Sequence, residues 1–260
     1  MGRKLDNAVG LYLDGIRDGN FREAVAKYTA PPYKQHSTGV ADGPEGFVEF
    51  FEGFVARNPQ RDIRIVRAFE DGRYVFVHAY QSLNGGQARW VTTDLFDTDE
   101  QDRLIEHWDV ISAFQDRTVS GHSQLDGPTE ITDLDRTEAN KALVREFLVE
   151  VMQKGNVDRV TDYISTTTYI QHNPQVGDGL QGLNEFLGKL ARGGGSMVYD
   201  QVHKVVGRGN FVASLSQMNL SGQLLAVFDL WRVQDGLIVE HWDNMEPLPI
   251  PEQARNSGKF

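Results

Sequence analysis

Tyr33-Lys34-Gln35-His36, followed by Asp42-Gly43 and Gly46-Phe47, returns as Tyr169-Ile170-Gln171-His172, Asp178-Gly179 and Gly182-Leu183, at a constant offset of 136 residues. Farther on, Leu104-Ile105-Glu106-His107-Trp108-Asp109 returns as Ile238-Val239-Glu240-His241-Trp242-Asp243, at offset 134. The histidine landmarks lie 71 residues apart in the first copy (107 − 36) and 69 in the second (241 − 172). Two anchors at nearly equal separation mean a duplicated domain of about 120 residues, far longer than a solenoid or propeller repeat. The expected division is a first domain over 1–118, a polar, turn-rich linker over 119–134 and a second domain over 135–260.

Each copy can bury its own core, since 40% of the residues are hydrophobic and 10% aromatic. A net charge of −11, with no basic run anywhere, argues against a nucleic-acid partner, which would need basic patches for the phosphates. The absence of cysteine excludes disulfides and thiolate chemistry. Leu5, Val9, Tyr12, Leu13 and Ile16 recur at helical spacing, but charges interrupt the stripe, so neither a signal-peptide core nor a membrane span is expected. The default expectation is a cytoplasmic protein.

Both halves begin with a helix stopped at Gly19-Asn20 or Gly155-Asn156, as glycine commonly stops helices. A short second helix, an extended segment bearing Tyr-x-Gln-His, and a third helix near Glu45–Ala56 or Gln181–Ala191 follow. The rest reads as strands rich in β-branched and aromatic residues: Asp62–Phe69, Tyr74–Leu83, Ala88–Asp97 and Leu104–Phe114, then Met197–Val206, Phe211–Leu220, Leu224–Val233 and Leu237–Met245. Asp135 with Glu138 has the spacing of a capping box opening the second domain's helix. Pro247, Pro249 and Pro251 predict an extended tail. Helices first and strands afterwards make this α+β: two tandem cones, each with three N-terminal helices packed on a curved antiparallel sheet.

Several stretches resemble the SnoaL-like, polyketide cyclase-like branch of the nuclear transport factor 2-like superfamily. They are Tyr169–Pro174, Asp178-Gly179, Val227–Arg232, Glu240–Asp243, and Val75-Phe76-Val77-His78, whose histidine matches the family's middle-strand histidine. The resemblance implies a cone-shaped pocket for a small hydrophobic carbonyl ligand and metal-free, cofactor-independent aldol-type or isomerase chemistry. It assigns Asp109 and Asp243, on the last strand, as general bases. Relatives pair through their sheets, so it also implies an intramolecular pseudo-dimer, with Trp108 and Trp242 outward; a further homo-oligomer stays open. A non-catalytic binding or scaffold protein is the alternative, because this fold hosts both classes.

Strand alternation places His107 with Asp109, and His241 with Asp243, on one face, and Glu106, Trp108 and Trp242 on the other. A carboxylate in an apolar cone has its pKa raised, and a nearby imidazole can supply a proton to an enolate oxygen. The expected catalytic set is therefore Asp109, His107, His78, Asp243 and His241. Asp94 and Asp229 sit mid-strand among hydrophobic residues, which favours the pocket; with His36, His172 and Asn173 they are the expected substrate contacts. The first copy's three histidines and two acids could hold zinc or iron, but the second copy has Leu215 or one of its serine neighbours at the place of His78, and no metal is expected.

Overall fold

A computed structural model describes residues 2–250 and 255–260; Pro251 lies outside them. By its packing the chain forms two units. One is the chain through Ala113 together with the segment from Leu248 onward, and the other is Phe114–Pro247. The expected boundaries differ: residues after Pro247 pack with the first unit, and the whole of 119–134 packs with the second. Extended Gly- and Pro-rich segments carry no periodicity that says which core they join.

In the first unit, α1 (Arg3–Gly10) runs into a π-helical stretch, Leu11–Arg17, followed by α2 (Phe21–Tyr28), β1 (Thr29–Gln35) and α3 (Gly43–Arg57). The strands β2 (Arg61–Asp71), β3 (Tyr74–Leu83), β4 (Ala88–Thr98) and β5 (Leu104–Ala113) complete it. The sheet order is β1-β5-β4-β3-β2. Four strands are antiparallel, as expected, but the Tyr-x-Gln-His segment adds β1 as a parallel edge beside β5, so the sheet is mixed. The core is the helical stripe Ala8, Leu11, Tyr12 and Ile16 against Val75, Val77 and Ala79 of the sheet.

The second unit repeats this with α4 (Thr137–Phe147), a π-helical stretch Leu148–Gln153, a 3₁₀ segment Val157–Asp162, β6 (Ile170–Gln171), α5 (Gly179–Arg192), β7 (Met197–Arg208), β8 (Phe211–Leu220), β9 (Gln223–Gln234) and β10 (Leu237–Pro247). Its order, β6-β10-β9-β8-β7, is the same. The short second helix is here only 3₁₀. The capping box does not form: α4 starts at Thr137 with no side-chain cap, and Leu134–Arg136 is a separate 3₁₀ turn.

The repeated Asp-Gly…Gly motif has a mechanical reason. Asp42 Oδ1 accepts the backbone N–H of Gln35 at 2.7 Å, and Asp178 Oδ1 that of Gln171 at 2.8 Å, tying each edge strand to the helix that follows. A Cβ on Gly46 would stand 2.2 Å from the Ala41 carbonyl oxygen, and one on Gly182 2.1 Å from that of Gly177. Only glycine lets each helix start so close to the preceding loop. No helix among the described residues is long and apolar enough to cross a membrane.

Candidate active site

The alternation of β5 and β10 divides their side chains as expected. His107 and Asp109 line a cavity of about 380 Å³ in the first unit. Its walls are aromatic: Phe47, Phe50, Phe51 and Phe54, three or four residues apart on α3, face Tyr12 from the π-helical stretch and Trp90 from β4. Its polar lining includes Gln35, Asp94, His107 and Asp109. The π-helical stretch inserts an extra residue per turn, a distortion common at functional sites.

Strand register makes the cluster. Asp94 of β4 is directly opposite Asp109 of β5, and Asp229 directly opposite Asp243. Two like charges facing each other across a ladder are unfavourable, so each pair needs positive charge or donors. His107 Nε2 lies 2.9 Å from Asp94 Oδ1, and His241 Nε2 lies 3.0 Å from Asp229 Oδ1. The imidazole thus engages the acid of the neighbouring strand. Its other nitrogen meets a glutamine oxygen, Gln35 Oε1 at 2.9 Å or Gln171 Oε1 at 3.0 Å. Gln171 Oε1 also accepts the backbone N–H groups of His172 and Asn173, so it is the acceptor and His241 Nδ1 the donor. In the second unit the contact between His241 Nε2 and Asp229 Oδ1 then carries one proton. A flat ring covers each imidazole: Phe96 over His107 at 4.5 Å, and Trp231 over His241 at 4.0 Å.

The two clusters differ in how their acids are satisfied. In the second unit the Tyr199 hydroxyl donates to both oxygens of Asp229, at 3.1 and 3.3 Å, and Ser214 Oγ donates to Oδ2 at 3.2 Å. Asn173 Nδ2 donates to Asp243 Oδ2 at 2.6 Å. In the first unit Val77 and Ile63 stand where Ser214 and Tyr199 would be. Asp94 Oδ2 and the Tyr33 hydroxyl, both in the lining, are buried without a hydrogen bond of good geometry among the described residues, although the Tyr12 hydroxyl acts on Asp94 and the Gln35 side chain on Tyr33. Asp109 meets Lys259, whose Nζ is 3.1 Å from Oδ1.

Burial pushes the Asp94 carboxyl above the ordinary range, more than His107 draws it down. Burial acts the same way on Asp109, but the Lys259 and His107 charges and hydrogen bonds outweigh it and hold the group below its usual value. Asp243 is raised, chiefly by burial, against the pull of His241. Facing carboxyls pushed in opposite directions are the arrangement from which an acid and a base are made.

Three expected site residues lie elsewhere. His78 points to the other face of β3, where its Nδ1 meets Arg67 Nη1 at 3.3 Å, while Val77 and Ala79 face the core. His36 stacks on Trp108 at 4.9 Å and meets Glu106 Oε1 at 2.9 Å. His172 stacks on Trp242 at 4.5 Å and meets Glu240 Oε1 at 2.8 Å. Alternation along the edge strand turns glutamine inward and histidine outward, so the glutamine of Tyr-x-Gln-His belongs to the cluster. Arg232 bonds Glu240 at 2.6 Å on that same outer side. Both outward tryptophans are buried, and the Trp242 indole N–H donates to the Asp126 carbonyl at 3.0 Å.

Ligand atoms of Asp94, His107 and Asp109 lie within 4.8 Å of one another, as do those of Asp229, His241 and Asp243. The donor chemistry fits a cation poorly. Both nitrogens of each histidine are already committed, and an ammonium sits on Asp109. A hollow of about 570 Å³ in the second unit lies between α5 and the turns near Gln175 and Gly195, and Asp229 does not line it.

No curated protein matches the chain significantly. Among solved structures it is similar to IdmH from Streptomyces antibioticus, a candidate polyketide cyclase, at 17% identity over 43% of this chain and 93% of that one, with a TM-score of 0.37. A candidate ketosteroid isomerase from Kribbella flavida aligns at 17% identity over 45% and 84%, TM-score 0.37. A protein with a cystatin-like fold from Xanthomonas campestris aligns at 21% identity over 41% and 89%, TM-score 0.35. The model of the SnoaL-like domain matches twice, over residues 9–107 and 144–241, more than half of the chain. With two such domains in sequence, each with the same strand order, the chain belongs to the SnoaL-like family.

Proposed function

We propose that the first domain's cavity binds a small, flat, hydrophobic carbonyl compound and performs acid–base chemistry on it, an aldol-type cyclisation or an isomerisation. The observation that carries this reading is the unmatched pair in the cavity, Asp94 Oδ2 and the Tyr33 hydroxyl. Leaving a buried polar atom unpaired costs about 1–3 kcal/mol. A ligand carbonyl or hydroxyl group would relieve that cost, and the aromatic walls would take its apolar body.

In this reading Asp109 is the base and takes a proton from the carbon beside the carbonyl. The electron pair moves to the carbonyl oxygen, which is met by the Tyr33 hydroxyl or by the proton shared between Asp94 and His107. The enolate carbon then attacks a second carbonyl of the same molecule, re-forming the first; the new alkoxide takes a proton from the Asp94–His107 pair, and the proton held by Asp109 returns to that pair. Alternatively the enolate is reprotonated at another position by Asp109. Atoms and electrons balance within the substrate, so the chemistry requires no redox cofactor.

For the second domain the non-catalytic reading is favoured by one observation: Asp229 is already bonded on both oxygens by the protein's own groups. Proton NMR of the full chain in D₂O with a panel of aromatic ketones and diketones tests the proposal. Exchange of α-protons above the buffer rate, lost in Asp109→Asn, is expected. No exchange with any member, and no ligand carried through purification by mass spectrometry, would sink it.

A further inference from the structure

The segment Arg255–Phe260 docks on the first unit much as Gly121–Gln124 docks on the second. Asn256 Nδ2 donates to the carbonyls of Ser37 (2.8 Å) and Val40 (2.7 Å), Ser257 Oγ donates to Asp42 Oδ2 (2.9 Å), and the Gly258 carbonyl meets His36 Nδ1 (2.6 Å). In the second unit His122 Nε2 meets Asp178 Oδ2 (2.9 Å), and the Ser123 carbonyl meets His172 Nδ1 (2.6 Å). Asp42 with Asp178, and His36 with His172, are counterparts in the repeat. Gly258 therefore corresponds to Ser123, and Lys259 to Gln124.

Gln124 is buried, and its Oε1 simply accepts the Gln115 backbone N–H at 2.8 Å. A neutral side chain is thus enough to dock such a segment. Lys259 instead carries an ammonium to Asp109, with the two side chains only 3% and 5% exposed. Burying a lysine is unfavourable unless its partner repays the lost hydration, so docking does not account for the charge.

We propose that Lys259 is a positioning residue of the first domain's site, holding the Asp109 carboxylate charged and oriented toward the cavity, so that this site is complete only with the segment docked. The proposal rests on reading Asp94, His107 and Asp109 as the reacting cluster. Asp109 is faced by His107 on its own strand, Asp94 on β4, Tyr12 from the π-helical stretch, Tyr33 from β1, and Lys259. Among these groups Lys259 alone is a permanent cation near neutral pH. The acid with glutamine in its neighbouring segment, Asp243, is displaced in the opposite direction from Asp109.

The test is a carbon-13 carboxyl NMR titration of the full chain, with the Asp109 signal identified by its loss in Asp109→Asn. Lys259→Met, close in shape but uncharged, should raise the proton affinity of Asp109 about tenfold or more, and Lys259→Arg should bring it back toward the native value. Amide exchange of the sheet shows whether each variant is folded. A Lys259→Met protein that is less stable but whose Asp109 titrates as in the native chain would reduce Lys259 to a docking residue and overturn the proposal. Absence of carbonyl proton exchange in the native protein bears on the reaction alone, and an unmoved Asp109 titration bears on Lys259 alone.

Discussion

Replacing Asp109 by asparagine separates catalysis from stability, because the carboxylate serves both. As the base, its loss should slow turnover about 10²–10⁴-fold, equivalent to roughly 2.7–5.4 kcal/mol on the barrier. As the partner of Lys259, its loss strands an ammonium that is 3% exposed. Breaking a buried pair in this way costs about 3–5 kcal/mol, but here Lys259 has an escape. Its segment is held by four hydrogen bonds, three from Asn256 and Ser257 and one between His36 and the Gly258 carbonyl, worth about 0.5–1.5 kcal/mol each. Undocking should therefore cap the loss at about 2–6 kcal/mol. In Asp109→Asn, hydrogen exchange read by mass spectrometry should show peptides over 255–260 losing protection while β2–β4 keep theirs. The double variant Asp109→Asn/Lys259→Met should redock the segment yet remain inactive. A single variant with its segment still fully protected, or a double variant with restored turnover, would refute the reasoning.

Tyr199→Phe removes both hydroxyl bonds to Asp229 and should destabilise the second unit by about 1.5–3 kcal/mol without changing proton exchange at the first site; urea denaturation and the NMR assay check the two halves. Asp243 binds its proton more tightly folded than unfolded, so its contribution to stability falls as pH rises from the unfolded pKa, about 3.9, to the raised folded value, and is flat above. Asp243→Asn should erase that slope in urea midpoints measured against pH, and an unchanged slope would contradict the assignment. His78→Ala, on the far face of β3, should leave turnover within about threefold, since it removes no acid or base from the cavity; a loss of the size expected for Asp109→Asn would return His78 to the site.

The fold was legible because duplication printed the same signals twice. The Asp-Gly turns, the helix stops and the strand runs recur at fixed offsets, and a strand period of two sorted His107 and Asp109 from Trp108 without coordinates. The same rule applied to Tyr-x-Gln-His would have chosen Gln35 and Gln171 over His36 and His172. Histidine drew attention by its chemistry, although the strand's phase decided the matter. His78 was misplaced because a likeness supplied its role, while Val77 and Ala79, one step away, already claimed the inner face. Lys259 was out of reach, since nothing local in Asn256-Ser257-Gly258-Lys259 says that it pairs with an acid 150 positions earlier. Its signal is the repeat itself, in which Ser123-Gln124 stands in the corresponding place.

Lys259 also sets a clock on the first site. The first sheet is fully synthesised at Ala113, whereas Lys259 follows 146 residues later (259 − 113). At about 5–20 residues per second, a ribosome takes roughly 7–30 s to cover that distance. Throughout that interval the nascent first domain has every strand it needs and no counter-charge for Asp109. The second domain meets the opposite schedule, because Gly121–Gln124 leave the ribosome before the sheet they dock on. Of the two clusters, the one with the unpaired oxygen is therefore the later to be finished.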